Sequence, residues 1–139
     1  MKRVLIDTNI IIDIAKRSEL FFEHSSKVFE LAVEKEIEAY VSASAVTDIF
    51  YILQKENGKI NTIQFLKELF DYIDILNVDK EVILNALDSD WKDFEDAVQG
   101  SVATKNHLDI IVTRNTKDFA KINDVKVFTP LELLDLHKK

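Results

Sequence analysis

The 139-residue chain contains no cysteine, which excludes disulfides, thiolate metal sites and cysteine nucleophiles. Histidine occurs only three times, at scattered positions, so no histidine-rich zinc cluster is available either. Any metal would have to be held by oxygen. Two glycines and one proline, alongside 47% hydrophobic residues, fit one compact domain over residues 1–139 with a sizeable core. No apolar run approaches the ~18–20 residues needed to cross a bilayer. The amino end passes from Lys2 and Arg3 straight into a strand-like segment, without a small-residue cleavage pattern. No membrane partner and a cytoplasmic location are therefore expected. Positive charge is also short, with 18 Lys and Arg against 25 Asp and Glu and a net charge of -7. This argues against a broad basic surface for passive nucleic-acid binding. It argues less strongly against an enzyme whose carboxylates hold cations, because bound cations reverse the local field.

The apolar patterning alternates between short strands and amphipathic helices. RVLID at 3–7 reads as a buried strand and Asn9 to Lys16 as a short helix. A longer helix is predicted over 21–38, a strand over 38–42, and a helix from Ser44 that Gly58 terminates. NTIQFLKELFDY at 61–72 is amphipathic, with Asn61 or Thr62 as its N-cap. IDILNV is a third strand, followed by helices over 79–88 and 93–107. DIIVT at 109–113 and VKVFT at 125–129 are the last two strands, and Pro130 opens the final helix. This alternation predicts a three-layer α/β/α fold, with a mainly parallel central sheet and helices on both faces.

In such a sheet, ligands gather at the carboxyl ends of the strands, near the point where strand order reverses. Asp7 ends the first strand and TRNTKDF follows the fourth, so Asp7 and Asp118 can approach one crevice. Asp48 lies in the strongly apolar SASAVTDIFYIL, where a carboxylate needs a cation, donors or an exposed seam. Asp93 and Asp96 share a face that continues through Ala97, Gly100 and Ala103, small residues that leave room for a charged ligand or another backbone. Capping explains Asp93 and Glu95 well, and Asp96 less well. Together Asp7, Asp48, Asp96 and Asp118 can form one acidic pocket, which is easiest to rationalise if cations occupy it. Oxygen-only ligation favours Mg²⁺ or Mn²⁺, with one or two ions per site acting on a phosphodiester. Thr8 and Asn9 can cap the first helix and aim its N–H groups at phosphate. Thr113 and Asn115 can hold the acidic loop, and Lys16, Arg17, Lys105, Arg114 and Lys117 are candidate phosphate contacts against a background of solvated surface charge.

VLIDTNIIID, SAVTDIFYIL, DFEDAVQGSVA and DIIVTRNTKDF, in this order, give the chain a resemblance to the PIN domain family, especially the short VapC-type toxin ribonucleases. The resemblance spans nearly the whole chain. It implies a metal-dependent endoribonuclease using Mg²⁺ or Mn²⁺, with Asp7, Asp48, Asp96 and Asp118 as catalytic and metal-holding acids. It also implies accessory positions at Thr8, Asn9, Asp93 and Asn115, an RNA substrate, a small antitoxin partner and a homodimer. One residue departs from the family pattern: the second acid is usually glutamate, and Asp48 is one methylene shorter. A non-catalytic PIN-like module that binds RNA or protein is the alternative. An aspartyl phosphotransferase of the haloacid-dehalogenase type would want a second aspartate where this chain has Asn9.

Overall fold

The computed structural model describes residues 1–138. Five strands, β1 (Lys2–Ile6), β2 (Ile37–Ser42), β3 (Ile73–Leu76), β4 (Ile110–Val112) and β5 (Lys126–Phe128), form one sheet in the order β3-β2-β1-β4-β5. Every pairing is parallel. The chain therefore builds outward from β1 to β3 on one side, then crosses to the other side of β1 to add β4 and β5. The reversal of strand order falls between β1 and β4.

Strand periodicity divides the interior into two layers, because successive side chains leave opposite faces of a strand. Val4 and Ile6 of β1 and Ile110 and Val112 of β4 enter one core with α1 (Thr8–Lys16), α2 (Phe22–Val33), α3 (Ala43–Asn57), α4 (Lys59–Leu69) and α7 (Pro130–Leu136). Leu5 and Ile111 point the other way, into a core with α5 (Lys80–Asp88) and α6 (Phe94–Lys105). A sheet covered on both faces accounts for the near-continuous apolar runs VLI and IIV. Among the described residues, no helix is long and apolar enough to cross a membrane.

Some features differ from the sequence-based expectation. The second helix stops at Val33 rather than 38, because Lys35 adopts a left-handed conformation (φ 59°) that ends it and lets β2 begin at Ile37. The fourth helix begins at Lys59, so neither Asn61 nor Thr62 caps it. Thr62 is buried within it, and Gly58 (φ 80°) makes the turn from α3. A 3₁₀ turn over Thr116–Phe119, unanticipated from the sequence, follows β4 and buries Phe119. The last helix is capped reciprocally by Thr129 and Glu132, with Pro130 in its first turn.

Candidate active site

The strand order reverses between β1 and β4, and Asp7 stands, buried, at the carboxyl end of β1 beside that reversal. Its backbone is extended (φ -70°, ψ 153°), and its N–H still continues the sheet to the Val112 carbonyl at 3.0 Å. Its side chain turns back to cap α1, accepting from the Thr8 N–H at 2.7 Å. Three further donors surround it. Gln99 Nε2 donates to the same oxygen at 2.9 Å, while the Thr113 hydroxyl at 2.7 Å and Asn9 Nδ2 at 3.3 Å donate to the other. The expected caps, Thr8 and Asn9, are thus not the N-cap: Asp7 takes that position because it is the last extended residue before the helix. Asn9 instead braces Asp7 and accepts from the Arg114 N–H at 3.4 Å. The Thr8 hydroxyl is buried without a partner.

α6 delivers the next acids. Asp93 is exposed and caps the helix, accepting from the Asp96 N–H at 2.9 Å. Asp96 lies half-buried one turn on. Burial, reinforced by the charges of Asp93, Asp7 and Asp118, pushes its carboxyl up to about 7. Asp7, Asp93 and Asp118 therefore all lie within electrostatic reach of Asp96. Asp118 is exposed on the 3₁₀ turn after β4.

Asp48 enters from α3, and its partner is a residue that sequence reasoning passed over. Glu95 is half-buried rather than a solvated first-turn charge. Burial raises its carboxyl to about 7, and so do a hydrogen bond with Asp48 and the charges of Asp48, Asp93 and Asp7. The acid set therefore has six members, Asp7, Asp48, Asp93, Glu95, Asp96 and Asp118, with Asp48 joined to it through Glu95. Gln99 was also missed. A polar residue inside AVQGSVA, three positions after Asp96, was its only sequence signal. It is 1% exposed, and its Oε1 has no hydrogen-bond partner.

The basic residues separate into anchored and free. Arg114 Nε lies 3.0 Å from the buried carboxylate of Asp13, and its guanidinium stacks on Phe21 at 4.2 Å. It secures the loop after β4 against α1, so the side chain expected to contact phosphate is already engaged in an ion pair. Lys16 pairs with Glu56 at 3.2 Å, Lys105 with Asp79 and Glu81, and Arg17 ends α1 in a left-handed conformation beside Phe22. Lys117 forms no ion pair among the described residues and lines the cleft with Asp96 and Asp118. Asn115 contributes through its backbone: its N–H donates to the Thr113 hydroxyl at 3.1 Å, and its carbonyl accepts from the Asp118 N–H at 3.1 Å. The small face of α6 does not leave open space throughout, since Trp91 lies against Gly100.

As the side chains stand, no three carboxylate or imidazole groups among the described residues converge on one ligation point. The donor set nevertheless suits a hard divalent cation. It is all oxygen, and two of its members, Glu95 and Asp96, are driven toward protonation by burial and by their neighbours' charge. A cation relieves that repulsion by replacing the protons.

Fold and site together define an α/β/α domain with an acid cluster at the switch point of a parallel sheet. The PIN domain profile matches residues 3–117, and the chain belongs to the PIN domain family. It is 25% identical over 139 residues to Ribonuclease VapC1 of Aquifex aeolicus (strain VF5), covering 96% of this chain and 94% of that protein. Solved structures share its fold, among them the following two. One is the DNA-bound VapBC of Salmonella typhimurium, with TM-score 0.71 and 16% identity over 94% of this chain and 99% of that one. The other is the Sarcin-Ricin loop cleaving toxin VapC20 of Mycobacterium tuberculosis, with TM-score 0.68 and 13% identity over 88% of this chain and 98% of that one.

Proposed function

We propose that this chain is a single-domain, divalent-metal-dependent endoribonuclease that hydrolyses RNA phosphodiester bonds. The observation that carries the reading is Asp7, held by four donors at the strand-order reversal, with Asp96 in electrostatic reach of both Asp7 and Asp118. Kinship with a protein named Ribonuclease VapC1 supports the reaction class. Likeness to VapBC complexes supports a toxin role with a small antitoxin partner. A homodimer acting in the cytoplasm completes the proposal.

Asp7, Asp48, Asp96 and Asp118 would hold Mg²⁺ or Mn²⁺, as one or two ions. When bound, such an ion supplies Lewis acidity toward a phosphoryl oxygen and makes water a better nucleophile near neutral pH. The chain's own groups provide the geometry. Thr8, Asn9, Gln99 and Thr113 keep Asp7 from rotating, so no orientational freedom has to be lost when substrate arrives. Asp93 and Asn115 set the starting points of the two segments that carry Asp96 and Asp118. Glu95, hydrogen-bonded to Asp48, ties the acid of α3 to the helix that carries Asp96. Lys117, beside Asp118, is placed to contact a phosphate.

The test compares wild type with Asp7→Asn and Asp96→Asn on a broad RNA pool, with Mg²⁺ or Mn²⁺ and with chelator. Metal-dependent cleavage should fall at least about 100-fold in either variant. Cleavage that survives both substitutions and chelation refutes the mechanism. Retained RNA binding with no wild-type cleavage would establish a binding module instead.

A further inference from the structure

Two clefts meet at Trp91. The smaller, about 260 Å³, holds Lys92, Asp93, Asp96, Lys117 and Asp118 and opens onto the acid cluster. The larger, about 640 Å³, lies beyond it between α5, α6 and the segment before β5. Trp91 and Lys121 line both, so the two clefts adjoin across them. Trp91 is fixed there by two contacts. Its ring meets Phe119 edge-on, with centroids 5.8 Å apart, and its far end rests on Gly100, where an added Cβ would stand only 2.5 Å away. The glycine thus permits the ring to lie against α6 and form the wall between the clefts.

The larger cleft differs chemically from the acid site. Asn85, Ser89, Ser101, Thr104 and Asn123 present uncharged donors and acceptors. Lys105 at its edge is already paired with Asp79 and Glu81, and Glu81 and Asp124 also line it. Such a surface suits a ligand with hydrogen-bonding edges and a flat apolar face better than a run of phosphates. Unstacked nucleobases have those properties: they are read at their edges and packed on aromatic rings. From Asp96 to Thr104, α6 advances roughly 12 Å at ~1.5 Å per residue. That is about three or four nucleotides at the ~3.4 Å spacing of a stacked strand, and fewer for an extended one.

We infer that the cleft beyond Trp91 is a nucleobase subsite, receiving a single-stranded part of the RNA whose scissile bond lies at the acid cluster. Lys92 and Lys117 meet the backbone at the mouth, and Lys121 meets it at the junction, where it also contacts Asp90 at 3.1 Å. The uncharged side chains beyond select among bases. This inference rests on the ribonuclease reading, and the fluorescence of the chain's single tryptophan separates the two.

The experiment titrates wild type, Thr104→Glu and Thr104→Lys with short single-stranded RNA homo-oligomers of each base. It follows Trp91 emission and oligomer affinity without metal, then cleavage with Mn²⁺. Thr104 is exposed on the wall of the larger cleft, outside the cleft that holds Asp93, Asp96 and Asp118, so both variants test the same surface position. Expected is a base-dependent change in Trp91 emission, affinity lowered at least about fivefold by the added carboxylate, and affinity kept or raised by the added ammonium. The subsite is overturned if no oligomer binds, if binding leaves Trp91 emission unchanged, or if Thr104→Glu binds as wild type does. Cleavage without a Trp91 response removes the subsite and leaves the nuclease standing. A Trp91 response with the expected charge dependence but no cleavage does the reverse.

Discussion

Replacing Gln99 with leucine would separate the stability of the site from its chemistry. Gln99 is 1% exposed, and its Nε2 donates to Asp7 Oδ1 at 2.9 Å, a hydrogen bond to a charged group worth about 1.5–3 kcal/mol. Its Oε1 is buried without a partner, a cost of about 1–3 kcal/mol that leucine removes. Leucine fills a comparable volume, so the two effects nearly offset, and stability should stay within about 2 kcal/mol of wild type. At about 3–5 °C per kcal/mol for a domain of this size, the melting temperature should move by less than about 10 °C. Asp7, by contrast, loses the only donor that ties it to α6, the helix carrying Asp96. Losing such a supporting contact lowers metal affinity or turnover by about 10–100-fold. Calorimetric Mn²⁺ titration, RNA cleavage and thermal unfolding on one preparation measure all three quantities. Metal affinity and turnover both within about twofold of wild type would show that Gln99 only fills space, and the reasoning would be wrong. Gln99→Glu is the complementary variant. It sets a second carboxylate against Asp7, so the metal-free protein should be destabilised and Mn²⁺ should recover more stability than in wild type.

Four other expectations can be checked directly. Glu95 and Asp96 have folded-state carboxyls raised to about 7, so the folded chain holds more protons than the unfolded chain between about pH 4 and 7. Metal-free stability should therefore rise as pH falls from 8 toward 5, and saturating Mg²⁺ should flatten that slope in pH-dependent melting curves. Asp48→Asn should reduce metal affinity or cleavage more than about tenfold with little change in melting temperature; unchanged affinity and rate with a large stability loss would identify a structural residue. Arg114→Met removes the cation beside the buried Asp13 carboxylate and should cost about 1–3 kcal/mol in denaturant titrations. Adding Asp13→Asn should recover much of that, and the absence of recovery would show that Arg114 acts through Phe21 alone. Gly100→Ala should not give the ~1 kcal/mol gain usual for a mid-helix glycine, because its Cβ would meet Trp91 at 2.5 Å. Instead Trp91 should be displaced and its emission maximum shifted; a stabilised variant with unchanged emission would contradict the packing.

Period-2 and period-3.6 patterning is a local property, so the alternation of strands and helices, the burial of VLI and IIV and the parallel sheet could all be read along the chain. Asp7 could be placed at a strand end for the same reason: it is the first polar residue after three apolar ones. Helix ends were less legible. Gly58 marked the end of α3 in the sequence, but left-handed Lys35 depends on how α2 must approach the sheet, and no neighbouring residue announces that. What only the tertiary structure decided is which groups meet. Asp7 and Gln99 lie 92 positions apart, and Asp7 and Thr113 lie 106 apart, yet each pair is joined by one hydrogen bond across the strand-order reversal. Glu95 looks in sequence like one more acid suited to a helix first turn. It becomes a partner of Asp48 only because α3 is packed against α6. Arg114 looks like a free cation until Asp13 and Phe21 arrive from the other end of the chain. A charge's own residue type establishes that it can bind something. Its neighbours in space, fixed by how the helices cover the sheet, establish what it is already bound to.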